Sequence, residues 1–430
     1  MHGRLRKSES LLINMAYLAC GLFLLTAMEG CATYSDHMKD ARDSLSRGQA
    51  EKAIGSIGGL LDEVVEDRGQ DPSSNYPLLL VERGTLEMYR GNFNAASEDF
   101  MEADPMLEVL DLRNRSGDEI AKFLFSGTVG PYAMPAYEKG MLNTLNMLSF
   151  LAQGNLGAAR VEARRYQINR TFYSNDDEFG EAGNHLGTFL AGYTFERSGK
   201  QNIAKRYYAE LRSEDEEMSE GEKALVGDAG LLVLSSGRVP YKAPVRMPIG
   251  LAMTVAASHA PPSDQANMLA AQGLVTWVNF TELKETPTWT HSPKVFLDGK
   301  RVILEPVVNT SERMTSQFDA DTPMMMGAAI SRTIARAAAG TAASMVSGQD
   351  GWGTLLSLLV QGTMVATDTP DTRSWSMLPG YFWMARLPDR KGNATLTVKA
   401  TNKNGNRVTI YEVKLPGGAN RPLAIPVFLP

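Results

Sequence analysis

The pattern of hydrophobic and polar positions changes near residue 230. Before that point, apolar and small side chains recur every three to four residues, which is the period of amphipathic helices. After it, short apolar alternations separated by turn residues predict β-strands. We therefore predict an α+β multidomain protein, with a helical domain over residues 31–225 and a β-rich domain over residues 226–430.

The helical domain contains a repeated unit. In residues 82–105, small and aromatic side chains have the spacing of a tetratricopeptide repeat, in which two antiparallel helices pack closely. These positions are Gly84, Gly91, Ala96, Phe100 and Ala103. Four turns of this kind align without gaps, at Gly48, Gly91, Gly154 and Gly199. The sequence therefore predicts a short tetratricopeptide-like α-solenoid over about residues 35–225.

A stack of helical pairs has a concave surface formed by the first helix of each pair, and such surfaces bind peptides or protein segments. The repeat pattern assigns six side chains to this partner-binding groove. They are Thr85, Met88, Tyr89, Tyr193, Glu196 and Arg197. The alternative is that Tyr89 and Tyr193 only pack between neighbouring repeats.

The β-rich domain contains two predicted hairpins. Val295–Leu304 alternates around an Asp-Gly pair, which readily adopts the positive φ angles of a tight primed turn. Ala394–Leu415 has the same alternation around a polar turn. Further strand candidates are Leu231–Leu234, Tyr381–Leu387 and Ala424–Leu429. Together these segments predict a small antiparallel β-sandwich-like domain.

Between the two hairpins lies a segment rich in Ala, Gly and Met, at about residues 323–368. It predicts two helices joined at Ser347–Gly353, preceded by a loop at Asp319–Pro323. Small residues allow helices to approach closely, in membranes and in oligomers alike. Arg332 and Arg336 argue against membrane insertion. We expect this helical hairpin to pack on the rest of the protein, with an oligomer contact as the alternative.

Charge and residue types narrow the classes of function. The net charge is −6 and no dense Lys/Arg block follows residue 31, so nucleic acid is not a predicted partner. The acidic runs at 176–178 and 214–217 lack the glycine and ligand spacing of a calcium loop. Phosphate-binding loops, nucleophile elbows and paired-histidine zinc motifs are absent. We therefore predict no catalytic residue, metal or cofactor, and keep a serine- or carboxylate-based hydrolase as an alternative.

The N-terminal residues have the order of a bacterial export signal. Basic side chains, an apolar run and a small residue precede a cysteine, and these are Arg4, Arg6, Lys7, Leu22–Leu25, Gly30 and Cys31. This layout resembles a lipoprotein signal peptide over residues 1–30, with cleavage before Cys31 and lipid attachment to it. Ala32 after the cysteine resembles the outer-membrane sorting choice. An ordinary secretory peptide or an uncleaved anchor helix are the alternatives.

Residues 371–388 read DTRSWSMLPGYFWMARLP. They resemble the "DTRSW…LP…ARL" motif of uncharacterised bacterial lipoproteins that have a tetratricopeptide-like N-terminal half. The matching positions are Asp371, Thr372, Arg373, Ser374, Trp375 and Pro379. Residues 233–250 resemble the "ENG…P…IP" region of the same family, so the resemblance covers most of the mature chain. Genes of this family often neighbour those of curli-secretion-channel-type lipoproteins, which implies an envelope assembly and no established activity.

Within the motif, Arg373 and Trp375 are two residues apart. In a strand they would share one face, where the guanidinium could stack near the indole. The alternative is that Trp375 is a buried anchor at the junction of the helical hairpin and the sheet.

These observations predict a non-enzymatic outer-membrane lipoprotein that faces the periplasm and binds envelope proteins as a scaffold or assembly factor. The alternative is an oligomeric pore or secretion-channel accessory component that uses residues 323–368.

Overall fold

The computed structural model describes residues 32–114, 132–174, 183–214, 230–256, 277–287, 291–346, 369–388, 392–401, 406–417 and 422–430. In these segments the chain forms a mixed α/β fold with eleven helices and three β-sheets. The predicted signal peptide, Cys31 and the second predicted helix of the 323–368 segment lie outside the described residues.

The helical half begins with a short helix and continues as four antiparallel helix pairs. The short helix is α1 (Tyr34–His37). The pairs are α2 (Lys39–Ser46) with α3 (Ala50–Arg68), α4 (Tyr76–Arg90) with α5 (Phe93–Asn114), α6 (Ala136–Ala152) with α7 (Leu156–Ser174), and α8 (His185–Arg197) with α9 (Gln201–Glu214).

All four pairs turn at the glycines that the sequence predicts. Gly48, Gly91, Gly154 and Gly199 have φ angles of 73°, 81°, 75° and 72°, a region that side chains disfavour. In each turn the residue after the glycine donates its N–H to the carbonyl five residues earlier, as in Asn92 to Glu87 at 2.9 Å. This bond satisfies a carbonyl that the helix end leaves free.

The strand half contains ten strands and two helices among the described residues. The strands are β1 (Gly230–Arg238), β2 (Tyr241–Pro248), β3 (Trp277–Lys284), β4 (His291–Leu297), β5 (Lys300–Val302), β6 (Glu305–Asn309), β7 (Pro379–Leu387), β8 (Ala394–Thr401), β9 (Arg407–Leu415) and β10 (Ala424–Leu429). The helices are α10 (Ile249–Ala256) and α11 (Thr310–Val346).

The strands form one sheet in the order β10-β1-β7-β6, a second in the order β5-β4-β8-β9, and the pair β2-β3. The prediction of purely antiparallel pairing was wrong, because β1 and β10 run parallel with Leu231 opposite Ala424. A parallel pair needs a long crossover connection, and nearly the whole strand half separates these two strands. Local hairpin signals do not reveal such a pairing.

Successive side chains along a strand point to opposite faces of its sheet, and both faces of the β10-β1-β7-β6 sheet are buried. We call it the first sheet. Leu232 and Leu234 of β1 belong to an apolar core shared with Val295 of β4 and Leu396 of β8, so the two four-stranded sheets pack together. Val233, one position along β1, belongs to the core that includes the helical half. The first sheet therefore lies between the second sheet and the helices.

The predicted hairpin at Asp298 and Gly299 is confirmed. Both residues have positive φ angles, 48° and 77°, and β4 pairs with β5 across the turn. The predicted loop at Asp319–Pro323 was wrong, because α11 runs through it. The start of α11 is fixed by Asn309, whose side chain accepts the Glu312 N–H while the Glu312 carboxylate accepts from the Asn309 amide.

Helix α11 packs against α10 and the β2-β3 pair through Met326, Ala329 and Ile330. No helix in the described segments is long and apolar enough to cross a membrane.

Candidate functional site

The most polar buried contacts of the fold join the two halves. Residues 371–377 form neither a helix nor a strand, and they lie between α1, α4 and α6. We call this stretch the clasp segment. It contains the Asp371–Trp375 part of the sequence motif, and it leads into β7 at Pro379.

Glu82 of α4 holds one end of the clasp segment. Its carboxylate accepts the Ser376 N–H at 2.8 Å, the Ser376 hydroxyl at 2.8 Å and the Met377 N–H at 2.7 Å. The Tyr34 hydroxyl lies 3.5 Å from the same carboxylate. Glu82 is completely buried, so these donors replace the water that it loses.

Glu138 of α6 holds the middle of the segment. Its carboxylate accepts the Trp375 N–H at 3.2 Å and the hydroxyls of Tyr132 and Tyr137 at 2.6 and 3.2 Å. Two buried carboxylates on neighbouring helix pairs thus bind three consecutive backbone N–H groups, from Trp375 to Met377. A loop has no ladder partner for these donors, so the carboxylates satisfy them.

Trp375 is the apolar anchor of the segment. Its side chain is fully buried, and its indole Nε1 donates to the Thr85 hydroxyl at 2.9 Å. The Phe100 ring meets the indole edge to face, with centroids 6.2 Å apart. The prediction of a buried anchor is confirmed for its burial but not for its place, because Trp375 packs against α4 and α5 of the helical half and not at a junction of hairpin and sheet.

The prediction that Arg373 and Trp375 share one face of a strand and stack was wrong, because the clasp segment is not a strand. Arg373 instead forms a two-point ion pair with Asp371, at 2.9 and 2.6 Å, and its guanidinium lies 5.9 Å from the Tyr132 ring centroid. Thr372 accepts the Ser35 N–H at 3.0 Å, which joins the segment to α1. Ser374 is buried with its neighbours.

Burial dominates the electrostatics of this site. It raises the pKa of Glu82 to about 7, although the N–H and hydroxyl donors of Ser376 and Met377 counteract it. Burial also raises the pKa of Glu138, against the opposing effect of the Tyr132 hydroxyl. The phenol pKa of Tyr34 rises for the same reason, reinforced by the nearby Glu82 carboxylate. Of these groups, Glu82 has a pKa near neutral pH, so its charge beneath the clasp segment depends on pH in that range.

Two buried arginines brace α1 and α2 beside the clasp. Arg42 donates to the Ser35 carbonyl at 2.7 Å and lies 4.0 Å above the Tyr241 ring centroid. Arg238 donates to the Arg42 carbonyl at 3.1 Å. Desolvation lowers the pKa of Arg238 to about 10. The N-terminal helices are thus fixed to β1 and β2 as well as to the clasp segment.

Four of the six residues of the predicted groove contact the strand half, namely Thr85, Tyr89, Tyr193 and Glu196. Thr85, Met88 and Tyr193 are buried, and Tyr89 meets the Phe428 ring of β10 at 5.4 Å. The Tyr193 hydroxyl donates to the Leu423 carbonyl at 2.7 Å.

Glu196 forms a 2.9 Å ion pair with Arg386 of β7, and Arg197 beside it is half-buried. The face predicted to bind another protein is therefore covered by the chain's own strand half. The alternative prediction, that Tyr89 and Tyr193 only pack between neighbouring repeats, was also wrong. Both side chains contact residues of the strand half.

The two buried carboxylates bind backbone N–H groups of the clasp segment, and the segment shields them from solvent. Glu82 and Glu138 are buried beneath the clasp segment, where their lone pairs are already used. Among the described residues, no cluster of His, Cys, Asp and Glu has the composition of a metal site. The geometry is that of a helical surface that recognises a peptide segment, here one of its own chain.

No family model matches this chain, and no curated protein matches it.

Proposed function

We propose that the protein is a non-enzymatic outer-membrane lipoprotein that faces the periplasm and acts as a protein-binding scaffold or assembly factor. In this proposal the helical half is a tetratricopeptide-like α-solenoid and the two four-stranded sheets form a β-sandwich-like domain. Four helix pairs with the same turn geometry support the first assignment. The apolar core shared by the sheets supports the second. Envelope proteins are the proposed partners, with curli-secretion-channel-type lipoproteins as the first candidates.

The observation that carries the scaffold proposal is an exposed apolar stripe on α7. Val161 and Ile168 are 53 % and 66 % exposed, and Phe172 is exposed beside them. Spacings of seven and four residues place the three side chains on one helix face. Large exposed apolar patches on folded proteins are typical of interaction sites. Because the inner face is covered by the strand half, we assign partner binding to this α7 stripe.

The start of the fold supports anchoring close to a membrane. Helix α1 begins at Tyr34, and Thr33 caps it by bonding to the Asp36 carboxylate at 2.7 and 2.8 Å. If Cys31 carries lipid, two residues separate it from Tyr34, the first residue of α1, and these three Cα–Cα steps span at most about 11 Å. Cys31→Ser should release the protein from the membrane pellet or leave an uncleaved precursor. Unchanged processing and pelleting would refute lipidation at this residue.

The scaffold proposal is tested by crosslinking in cells. A photoreactive amino acid at position 168 of the full-length protein should capture one envelope protein, identified by mass spectrometry. The purified partner should then bind the unmodified protein, and Val161→Asp or Ile168→Asp should weaken binding at least about tenfold, since a charge replaces an apolar contact.

Ile303→Asp is the matched control, because Ile303 is an exposed apolar residue of the strand half. Equal affinity of all three variants would show that the α7 stripe is not the binding surface.

A second candidate is an oligomeric pore or secretion-channel accessory component. It is favoured by the length of α11, which runs through the first half of the 323–368 segment and exposes Met324. Measurement of the molecular mass in mild detergent tests this candidate. A monomer at all protein concentrations would contradict an oligomeric pore.

A further inference from the structure

A cleft of about 440 Å³ lies between α8, the first sheet and the β4–β5 hairpin. Most of its lining is apolar, contributed by Phe189, Leu231, Leu297, Val302, Ile303 and Met384. Its volume is in the lower part of the range of about 300–1,000 Å³ that small-molecule sites occupy. It is separate from the clasp and from the α7 stripe.

The topology explains why this space is open. Strand β6 pairs with β7 from Asn309 opposite Tyr381 as far as Glu305 opposite Met384. Beyond Met384, β7 continues to Leu387 with β1 as its paired neighbour. The chain meanwhile crosses to β5 through Ile303, so the β6 side of β7 is left unpaired there. The cleft occupies the place that a longer β6 would fill.

Ile303 forms part of the cleft wall and is 80 % exposed. It has the highest exposure of the large hydrophobic side chains in the described residues. Burying an isoleucine side chain is favourable because it removes apolar surface from water. An apolar ligand in the cleft would cover this side chain.

The charge at the cleft is predominantly positive. Lys300 and Arg301 are exposed on β5, and Arg386 is buried in the lining. The terminal nitrogens of Arg386 bind Glu196, whereas its buried Nε has no hydrogen-bond partner in the described structure. Glu305 is the acidic residue of the lining, and burial raises its pKa.

We propose that this cleft binds a single-chain anionic amphiphile, namely a long-chain fatty-acid carboxylate. The apolar lining takes the acyl chain, and the Lys300 and Arg301 cations take the head, since charged donors bind carboxylates strongly. Four residues separate Lys300 from Glu305, so their Cα atoms are at most about 18 Å apart. The modest volume suits one acyl chain rather than the two of a phospholipid.

A photoactivatable palmitate with a diazirine in its chain tests the proposal on full-length protein in native membranes. After illumination, mass spectrometry should find the label on the peptides around Val302–Ile303 and Met384. Labelling should fall at least tenfold in Ile303→Asp and in the double variant Lys300→Glu/Arg301→Glu. Both changes are at exposed positions, so the fold should be retained.

Matched controls are Val65→Asp, which changes an exposed apolar residue on α3, and Lys205→Glu/Arg206→Glu, which reverses an exposed basic pair on α9. Both should be labelled like the unmodified protein. Equal labelling by the methyl ester of the probe would overturn carboxylate recognition. Labelling by a diacyl phosphatidylglycerol probe but not by palmitate would overturn the single-chain ligand, and labelling unchanged in the cleft variants would overturn the site.

Discussion

Glu82 favours one arrangement of the helical half and the strand half, although its burial is energetically unfavourable. A buried carboxylate is unfavourable unless its oxygens are hydrogen-bonded. Here the donors are two backbone N–H groups and one hydroxyl from residues 376 and 377. An alternative docking of the strand half would leave the Glu82 charge without them. Glu82 therefore contributes to specificity as well as to binding.

The raised pKa of Glu82 has a definite consequence for pH dependence. Because its pKa is about 7 in the folded protein and 4.5 ordinarily, the folded state binds the proton more tightly than the unfolded state. The stabilisation linked to this proton is present below pH 4.5 and is lost as pH rises through 7. The groups that face Glu82 are Tyr34, Arg42 and Glu138, and the pKa of Glu138 is raised in the same direction.

We therefore expect the difference in unfolding free energy between the unmodified protein and Glu82→Gln to fall between pH 5 and pH 8, by up to about 3 kcal/mol. Urea denaturation at several pH values measures it. The glutamine keeps the size of the side chain but does not titrate, so the contributions of groups that do not interact with Glu82 cancel in the difference. A difference that is constant with pH would contradict the raised pKa.

Trp375 should be among the most sensitive residues of the molecule. Trp375→Ala removes a fully buried side chain and should destabilise the protein by about 3–5 kcal/mol. Thr85→Val removes the hydroxyl that accepts the indole N–H and donates to the Val81 carbonyl, and it should cost about 1–3 kcal/mol. Trp277→Ala on β3 is the control, because Trp277 is half-exposed and should lose little. Similar losses for both tryptophans in chemical denaturation would contradict this assignment.

At the scale of elements, two helix pairs pack closely because a glycine, which has no side chain, lies at the contact. A Cβ atom at Gly84 would lie 2.8 Å from the Phe100 ring, and one at Gly192 would lie 2.6 Å from the Tyr208 ring. Gly84→Ala should therefore destabilise the protein by about 1–3 kcal/mol through overpacking of α4 against α5. Gly58→Ala on α3 meets nothing within 4 Å and should stabilise it by up to about 1 kcal/mol. Thermal unfolding of the two variants should shift in opposite directions.

The elements that could be predicted have local causes. The four helix turns depend on glycines in the left-handed region, and the β4–β5 turn depends on the adjacent Asp298 and Gly299. The strand predicted at Ala424–Leu429 coincides with β10. Strand β2 was missed, because Pro244 and Pro248 interrupt its pattern and proline is typical of edge strands.

The clasp could not be predicted from spacing, because its partners are far apart in the sequence. One signal was available. Glu82 follows the apolar run Leu78–Val81, and Glu138 lies near the start of a helix that is rich in Leu and Met. An acid inside a helix that is buried on most sides requires a partner. The sequence therefore indicates that these carboxylates are satisfied, but not that residues 375–377 satisfy them.

At the scale of the whole molecule, the Glu196–Arg386 ion pair joins α8 to β7. Its side chains are 14 % and 6 % exposed, so breaking the pair leaves a charge poorly solvated. Arg386→Met should destabilise the protein by about 3 kcal/mol. Glu196→Gln/Arg386→Met should be less destabilised than the sum of the two single variants, because neither charge is left alone. Additive losses in this double-mutant cycle would show that the pair does not couple the halves.

The clasp also determines the order in which the chain finishes folding. The Ser376 N–H that Glu82 binds lies 294 residues further along, and the Leu423 carbonyl that Tyr193 binds lies 230 residues further along. During synthesis, the helical half emerges with its carboxylates and its inner apolar face uncovered. Contacts between residues so far apart in sequence form slowly, so we expect the strand half to dock after the helix pairs have formed. A chain that has not yet reached Ala424 therefore remains open to chaperones and proteases, and native structure is completed after translation of β10.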